Sequence, residues 1–139
     1  MGKKIVSAIV KIVLMLILII LVIYGFIKIV DSNRVSKLTS SIIGDSNLEY
    51  VTKLDSEIIG FTDFRETYIY QINNLKKISC EALSFDMKTN LNSITFDNLA
   101  EKYLNEKNNY CIKRYEKNDR EFTIVVLQDN ILMIQNYED

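Results

Sequence analysis

The chain has 139 residues, with 17 Lys and Arg, 18 Asp and Glu, no His and a hydrophobic content of 48%. Residues 1–30 hold four cations, Lys3, Lys4, Lys11 and Lys28, and no acid, which leaves thirteen cations against eighteen acids, a net −5, from Asp31 onward. That split excludes a wholly soluble protein, a multidomain protein and a basic nucleic-acid binder.

From Ile12 to Ile27 the sequence IVLMLILIILVIYGFI runs without a charge between Lys11 and Lys28. At about 1.5 Å per residue the two lysines stand roughly 25 Å apart along a helix, slightly less than the hydrocarbon core of about 30 Å. If both snorkel their ammonium groups to the headgroups, residues 5–30 contact the bilayer and cross it. No small-residue cleavage site follows at Val30-Asp31-Ser32-Asn33, so the segment is expected to stay as a signal-anchor. The start Met1-Gly2-Lys3-Lys4-Ile5-Val6 lacks the hydroxyl residue of a myristoylation signal. Gly25 has no small residue four positions away, at Leu21 or Ile29, so nothing marks a helix-pairing face.

Lys3, Lys4, Lys11 and the terminal amine flank one end of the span, and Lys28, Arg34 and Lys37 the other, where Asp31 and Asp45 dilute them. The positive-inside rule then favours a cytoplasmic N-terminus and a C-terminal domain outside, in a single-pass cell-membrane protein.

Residues 31–47, rich in Ser and Asn, read as a juxtamembrane connector in which the membrane helix extends a turn or two before breaking at Gly44. Residues 48–139 then form one domain. Leu48, Val51, Leu54 and Ile58 recur at helical spacing, with Ser46 or Asn47 as the N-cap. Gly60 suits a helix stop, and Phe64, Tyr68, Ile72, Leu75 and Ile78 continue the stripe in a second helix capped by Thr62. Within it, Thr67–Ile72 (TYIYQI) also has strand-like composition. Ala82–Thr89 reads as a short strand with Leu83, Phe85 and Met87 on one face. A helix starts near Thr95, turns Leu99, Tyr103 and Leu104 inward and ends in Asn105-Glu106-Lys107-Asn108-Asn109.

Three β-rich runs close the chain, Tyr110–Tyr115, Glu121–Leu127 and Ile131–Asn136, separated by turn-forming clusters that force an antiparallel meander. In the middle run Phe122, Ile124 and Val126 alternate with Val125 and Leu127. A strand apolar on both faces belongs at the centre of a sheet, with the Leu48–Leu83 helices over one face. The expected fold is therefore α+β: a single transmembrane helix, two or three helices, and a C-terminal three- to four-stranded antiparallel β-meander.

Cys80 and Cys111 are the two cysteines. Outside the membrane an even count points to a disulfide, with two buried thiols as the alternative. Catalytic patterns are missing. Without histidine the usual general base and commonest metal ligand are gone, and four glycines form neither a phosphate loop nor a nucleophile elbow. Asp55/Glu57 and Asp63/Glu66 read as solvated faces, and no cofactor or metal ligand set is expected. The cations near the first hairpin, Lys113, Arg114, Lys117 and Arg120, are offset by Glu116, Asp119 and Glu121, as at a hairpin tip that discourages edge pairing.

No N-x-[ST] acceptor occurs, and Ile, Lys and Asn are abundant while Pro, Trp and His are missing, a bias that fits a bacterial envelope protein of an AT-rich genome. The element order resembles that of pilins and pseudopilins, which combine an N-terminal apolar helix with a terminal antiparallel sheet. The resemblance covers element order alone, since the processing motif of that family is missing and the basic start runs directly into Ile5-Val6-Ser7-Ala8. The expected function is non-catalytic: an anchored domain in protein–protein interaction or assembly with another envelope protein. The alternative is an extracytoplasmic sensory or small-ligand-binding module, with Tyr68, Tyr70, Tyr103, Tyr110 and Tyr115 as candidate lining.

Overall fold

The computed structural model describes residues 2–60, 64–88, 98–105 and 108–138. It divides into two compact units, Met1–Leu38 and Thr39–Asp139. Helix α1, Gly2–Ile43, fills the first unit and places its last turn in the second. The expected connector is thus helical as far as Ile43. The break does fall at Gly44, whose φ of 88° is open to glycine and strained for other residues. The Gly44 N–H donates to Ser40 O at 2.8 Å, and the Asn47 side-chain amide donates to Ile43 O at 2.6 Å. Asn47, expected as the N-cap of a following helix, instead caps the end of α1.

A short 3-10 helix, Asp45–Tyr50, leads into β1, Val51–Ile59, and β2, Phe64–Ile72. The two helices expected over Leu48–Leu83 are therefore replaced by an antiparallel strand pair, and Gly60 ends a strand rather than a helix. The cause lies in the spacing. The register jumps between Lys53 and Asp55, so Leu54 is an extra residue in a β-bulge. A bulge turns a spacing of two into three, and Val51–Leu54–Ile58 then imitates a helical stripe. In β2 the apolar residues Phe64, Tyr68 and Ile72 are four apart, a step that keeps one face in a strand as well as in a helix.

After β2 the chain makes irregular turns through residues 73–85 and returns as β3, Asp86–Lys88, shorter than the strand expected over Ala82–Thr89. The expected helix start at Thr95–Asp97 lies outside the described residues. Helix α2, Asn98–Tyr103, is present, with Ala100 and Leu104 buried and Leu99 and Tyr103 half-buried. The meander forms as expected, as β4 Tyr110–Glu116, β5 Glu121–Gln128 and β6 Ile131–Glu138.

Among the described residues the sheet has six strands in the order β1-β2-β6-β5-β4-β3, each pairing antiparallel with its neighbour. It is wider than the three or four strands expected, because the misread pair adds to β6. β5 and β6 occupy the middle, and Val125, Val126, Met133 and Ile134 are fully buried there, as strands apolar on both faces require. One face carries Ile69, Met133, Val126 and Ile112 in register, and α2 packs over it through Ala100 and Leu104. The opposite face carries Tyr68, Tyr70, Leu132, Ile134, Val125, Leu127 and Cys111, all buried. The last turn of α1 reaches this second face, where Thr39 meets Tyr70, and residues 73–85 reach it through Cys80 and Phe85.

Candidate functional site

Three features of the chain bear on function: the apolar helix, the cysteine pair and the surface of the sheet domain. At about 1.5 Å per residue the 42 residues of α1 make a rod of about 63 Å, twice the hydrocarbon thickness. Over Val6–Ile43 the helix is long and apolar enough to cross a membrane, and its most apolar window is wholly unburied, with a mean hydropathy of 3.2. Large apolar side chains from Val6 to Val30 point outward on every side of the helix. Apolar surface of that extent is unstable in water and stable in lipid. Lys3, Lys4, Lys11 and Lys28 all lie in this helix, and the Lys28 ammonium rests 5.4 Å from the centre of the Tyr24 ring.

The Sγ atoms of Cys80 and Cys111 are 2.04 Å apart, at disulfide distance, with 5.8 Å between the Cα atoms. Cys111 is fully buried in β4, whereas Cys80 sits half-buried in the turns after β2. The pair therefore ties the 73–85 segment to the sheet. Beside it lies a recess of about 370 Å³ lined by Leu75, Ser79, Cys80, Glu81, Tyr110 and Asp129, among others.

The tyrosines considered as a ligand lining do not converge. Tyr68 and Tyr70 are buried on the face opposite α2, while Tyr103 and Tyr110 belong to the cluster under α2. They are core residues of two separate layers. Tyr115 is half-buried, with the Lys113 ammonium 5.3 Å from its ring centre. Burial pushes its phenol upward.

Asp55, read as a solvated carboxylate, is instead a junction. Its Oδ2 accepts from Lys102 Nζ at 3.2 Å and from the Tyr103 hydroxyl at 3.1 Å, and its Oδ1 accepts from the Ser56 N–H at 2.9 Å. The Lys102 bond, followed by those from Ser56 and Tyr103, holds the Asp55 carboxyl below its usual value. The bulge makes this possible, since it sets Asp55 opposite Ile69 on the α2 side of the sheet. Strand periodicity without a bulge gives no sign of it. Among the described residues no group of three or more His, Cys, Asp or Glu is placed to hold a metal ion.

Beyond α1, the large apolar side chains left exposed among the described residues are Leu54, Ile58, Ile59 and Leu75. Three of these four lie on β1, whose outer edge pairs with no other described strand. Comparison of the chain with protein-family models, with curated proteins and with solved structures finds no match.

Proposed function

We propose that the chain is a non-catalytic, membrane-anchored protein of a bacterial cell envelope, with a cytoplasmic N-terminus and an outside domain that docks onto another envelope protein. The observation that carries this reading is the outer edge of β1. Leu54, Ile58 and Ile59 are 41%, 53% and 38% exposed there, on an edge that no other described strand pairs with and that an extended segment of a partner extends by adding a strand. Lys53, Asp55, Glu57 and the bulge at Leu54 oppose indiscriminate pairing and so select one partner over many. The orientation follows from Lys3, Lys4 and Lys11 before the span, and a disulfide belongs to an oxidising compartment.

Affinity purification from gently solubilised membranes tests the docking reading, with Ile58→Lys as the matched variant. A stoichiometric partner that the variant loses, at unchanged circular dichroism, is the expected result. No partner, or one retained by the variant, overturns it. Protease treatment of intact cells tests orientation separately, and protection of residues 39–139 overturns it. The alternative, a sensory or small-ligand module, has the recess beside Cys80 in its favour; the separation of the tyrosines into two layers weighs against it.

A further inference from the structure

We infer that the Cys80–Cys111 disulfide is an exchange site: an external dithiol attacks Cys80 through the adjoining recess, and opening the bond releases residues 74–85 while the sheet stays folded. The inference does not depend on the docking partner. It begins from the unequal exposure of the two sulfur-bearing residues. Cys111 has no accessible surface, whereas Cys80 is half-buried and forms part of the recess wall. An incoming thiolate must reach the sulfur it attacks, and of the two cysteines Cys80 alone has accessible surface and lines the recess.

The second observation is how little else holds the segment. Lys77 and Ile78 donate their N–H groups to Asn74 O, Leu83 to Ser79 O, Ser84 to Glu81 O and Phe85 to Cys80 O. The side chains of Asn74 and Ser79 accept from Lys76 and Ala82. Among the described residues, every hydrogen bond of 74–85 therefore stays inside the segment, and none reaches the sheet. Among the described residues its ties to the sheet domain are the disulfide, the buried Ile78 and Phe85, and the Lys113 ammonium 5.8 Å from the Phe85 ring centre. Ser84 is held at a φ of 54°, a left-handed conformation that release relieves. Both ends are fixed independently. The Asn73 N–H donates to Tyr50 O at 2.7 Å, and β3 pairs with β4. Opening the bond frees a tethered strap rather than unravelling a strand.

The chemistry balances with one dithiol. Its thiolate forms a bond to Cys80 Sγ as the Cys80–Cys111 bond breaks, and Cys111 leaves as a thiolate that takes a proton from solvent. The second thiol of the reagent then displaces Cys80, leaving two protein thiols and an oxidised reagent. Glu81 and Asp129 flank the recess and repel anionic thiols, so exchange favours cationic or neutral ones.

The test uses the full chain in detergent micelles. Cysteamine is expected to give an adduct on Cys80, with Cys111 left free for alkylation, and to react about three- to tenfold faster than mercaptoethanesulfonate at low salt. Molar salt is expected to remove that difference. After dithiothreitol, amide exchange in 74–85 rises at least about tenfold while β5 and β6 keep their protection. Cys80→Ser reproduces the released pattern without reductant. An adduct on Cys111, exchange only in denaturant, protection of 74–85 in Cys80→Ser, or joint loss of protection in β5 and β6 each overturns the inference.

Discussion

Thr39 and Tyr70 share a buried hydrogen bond, with 2.8 Å between their hydroxyl oxygens across 31 positions of sequence. It fixes the last turn of α1 to β2, next to the centre of the sheet. Neither residue is apolar enough to be drawn inside alone, and burying an unpaired hydroxyl is costly. The pair makes burial of both acceptable.

Tyr70→Phe keeps the ring and removes that bond, and is expected to lower the free energy of unfolding by about 1 kcal/mol in a urea titration. Burial pushes the Tyr70 phenol upward, and its bond with Thr39 opposes the shift in part. The raised folded value means the native state holds its proton after the unfolded chain has lost it. That contribution is intact below about pH 10 and disappears as pH rises through the folded value. The Phe variant should show a shallower alkaline decline than wild type; equal declines would refute the assignment to Tyr70.

The disulfide closes a sequence separation of 31 residues. By chain entropy, replacing both Cys80 and Cys111 with Ala costs about 3 to 4 kcal/mol of global stability, read from the midpoint of guanidinium unfolding. The cost arises in the unfolded chain, so the native sheet signal at zero denaturant should be unchanged. A loss below about 1 kcal/mol would show that the reduced unfolded chain is already compact around residues 80–111.

The parts of the fold that sequence patterning reveals are those where period and burial agree. Tyr110–Tyr115, Glu121–Leu127 and Ile131–Asn136 are β-rich runs bracketed by short turn-forming clusters, and they form β4, β5 and β6. The apolar helix is legible by a different signal, the long charge-free apolar run between Lys11 and Lys28. β1 fails because the extra Leu54 shifts the phase of everything after it. β2 fails because Glu66 and Thr67 are buried along with Tyr68, Ile69 and Tyr70, and polar residues in a buried strand erase the apolar run that would mark it. Asp55 could not be singled out, since its partners Lys102 and Tyr103 are 47 and 48 positions away. The cysteine pairing was one of two readings because an even count constrains chemistry but not distance.

Asp55 gives a pH prediction. Its carboxyl is held below the usual value, chiefly by Lys102, so its contribution to docking α2 is present above about pH 4 and lost as pH falls through the depressed folded value. Lys102 is raised in turn, by Tyr103 first and then Asp55, and stays charged throughout that window. Amide exchange in residues 98–104 should therefore accelerate on acidification in wild type and be fast and nearly pH-independent, after correction for intrinsic rates, in Asp55→Asn. The site is open to solvent, so about 0.5 M salt should weaken the effect. An unchanged pH response in the variant would remove Asp55 from the account.

Gln128 ends β5 and is almost fully buried. Its side chain reaches the loop after α2 through three bonds. Oε1 accepts from the Asn105 N–H at 2.7 Å, and Nε2 donates to Asn105 O at 2.8 Å and Asn108 O at 3.3 Å. One amide thus satisfies the backbone where the helix has ended, a place where donors and acceptors lack helical partners. Gln128→Leu preserves approximate size but supplies no partners, and is expected to cost about 2 to 3 kcal/mol in urea unfolding. Gln128→Glu keeps the acceptor and loses both donors while burying a charge, so it should be at least as damaging near neutrality. It should recover in part on acidification, when the carboxyl gains a proton to donate. If Gln128→Leu costs less than about 0.5 kcal/mol, water has replaced the side chain at Asn105 and Asn108, and amide exchange at Asn105 should then be as fast as in an open loop.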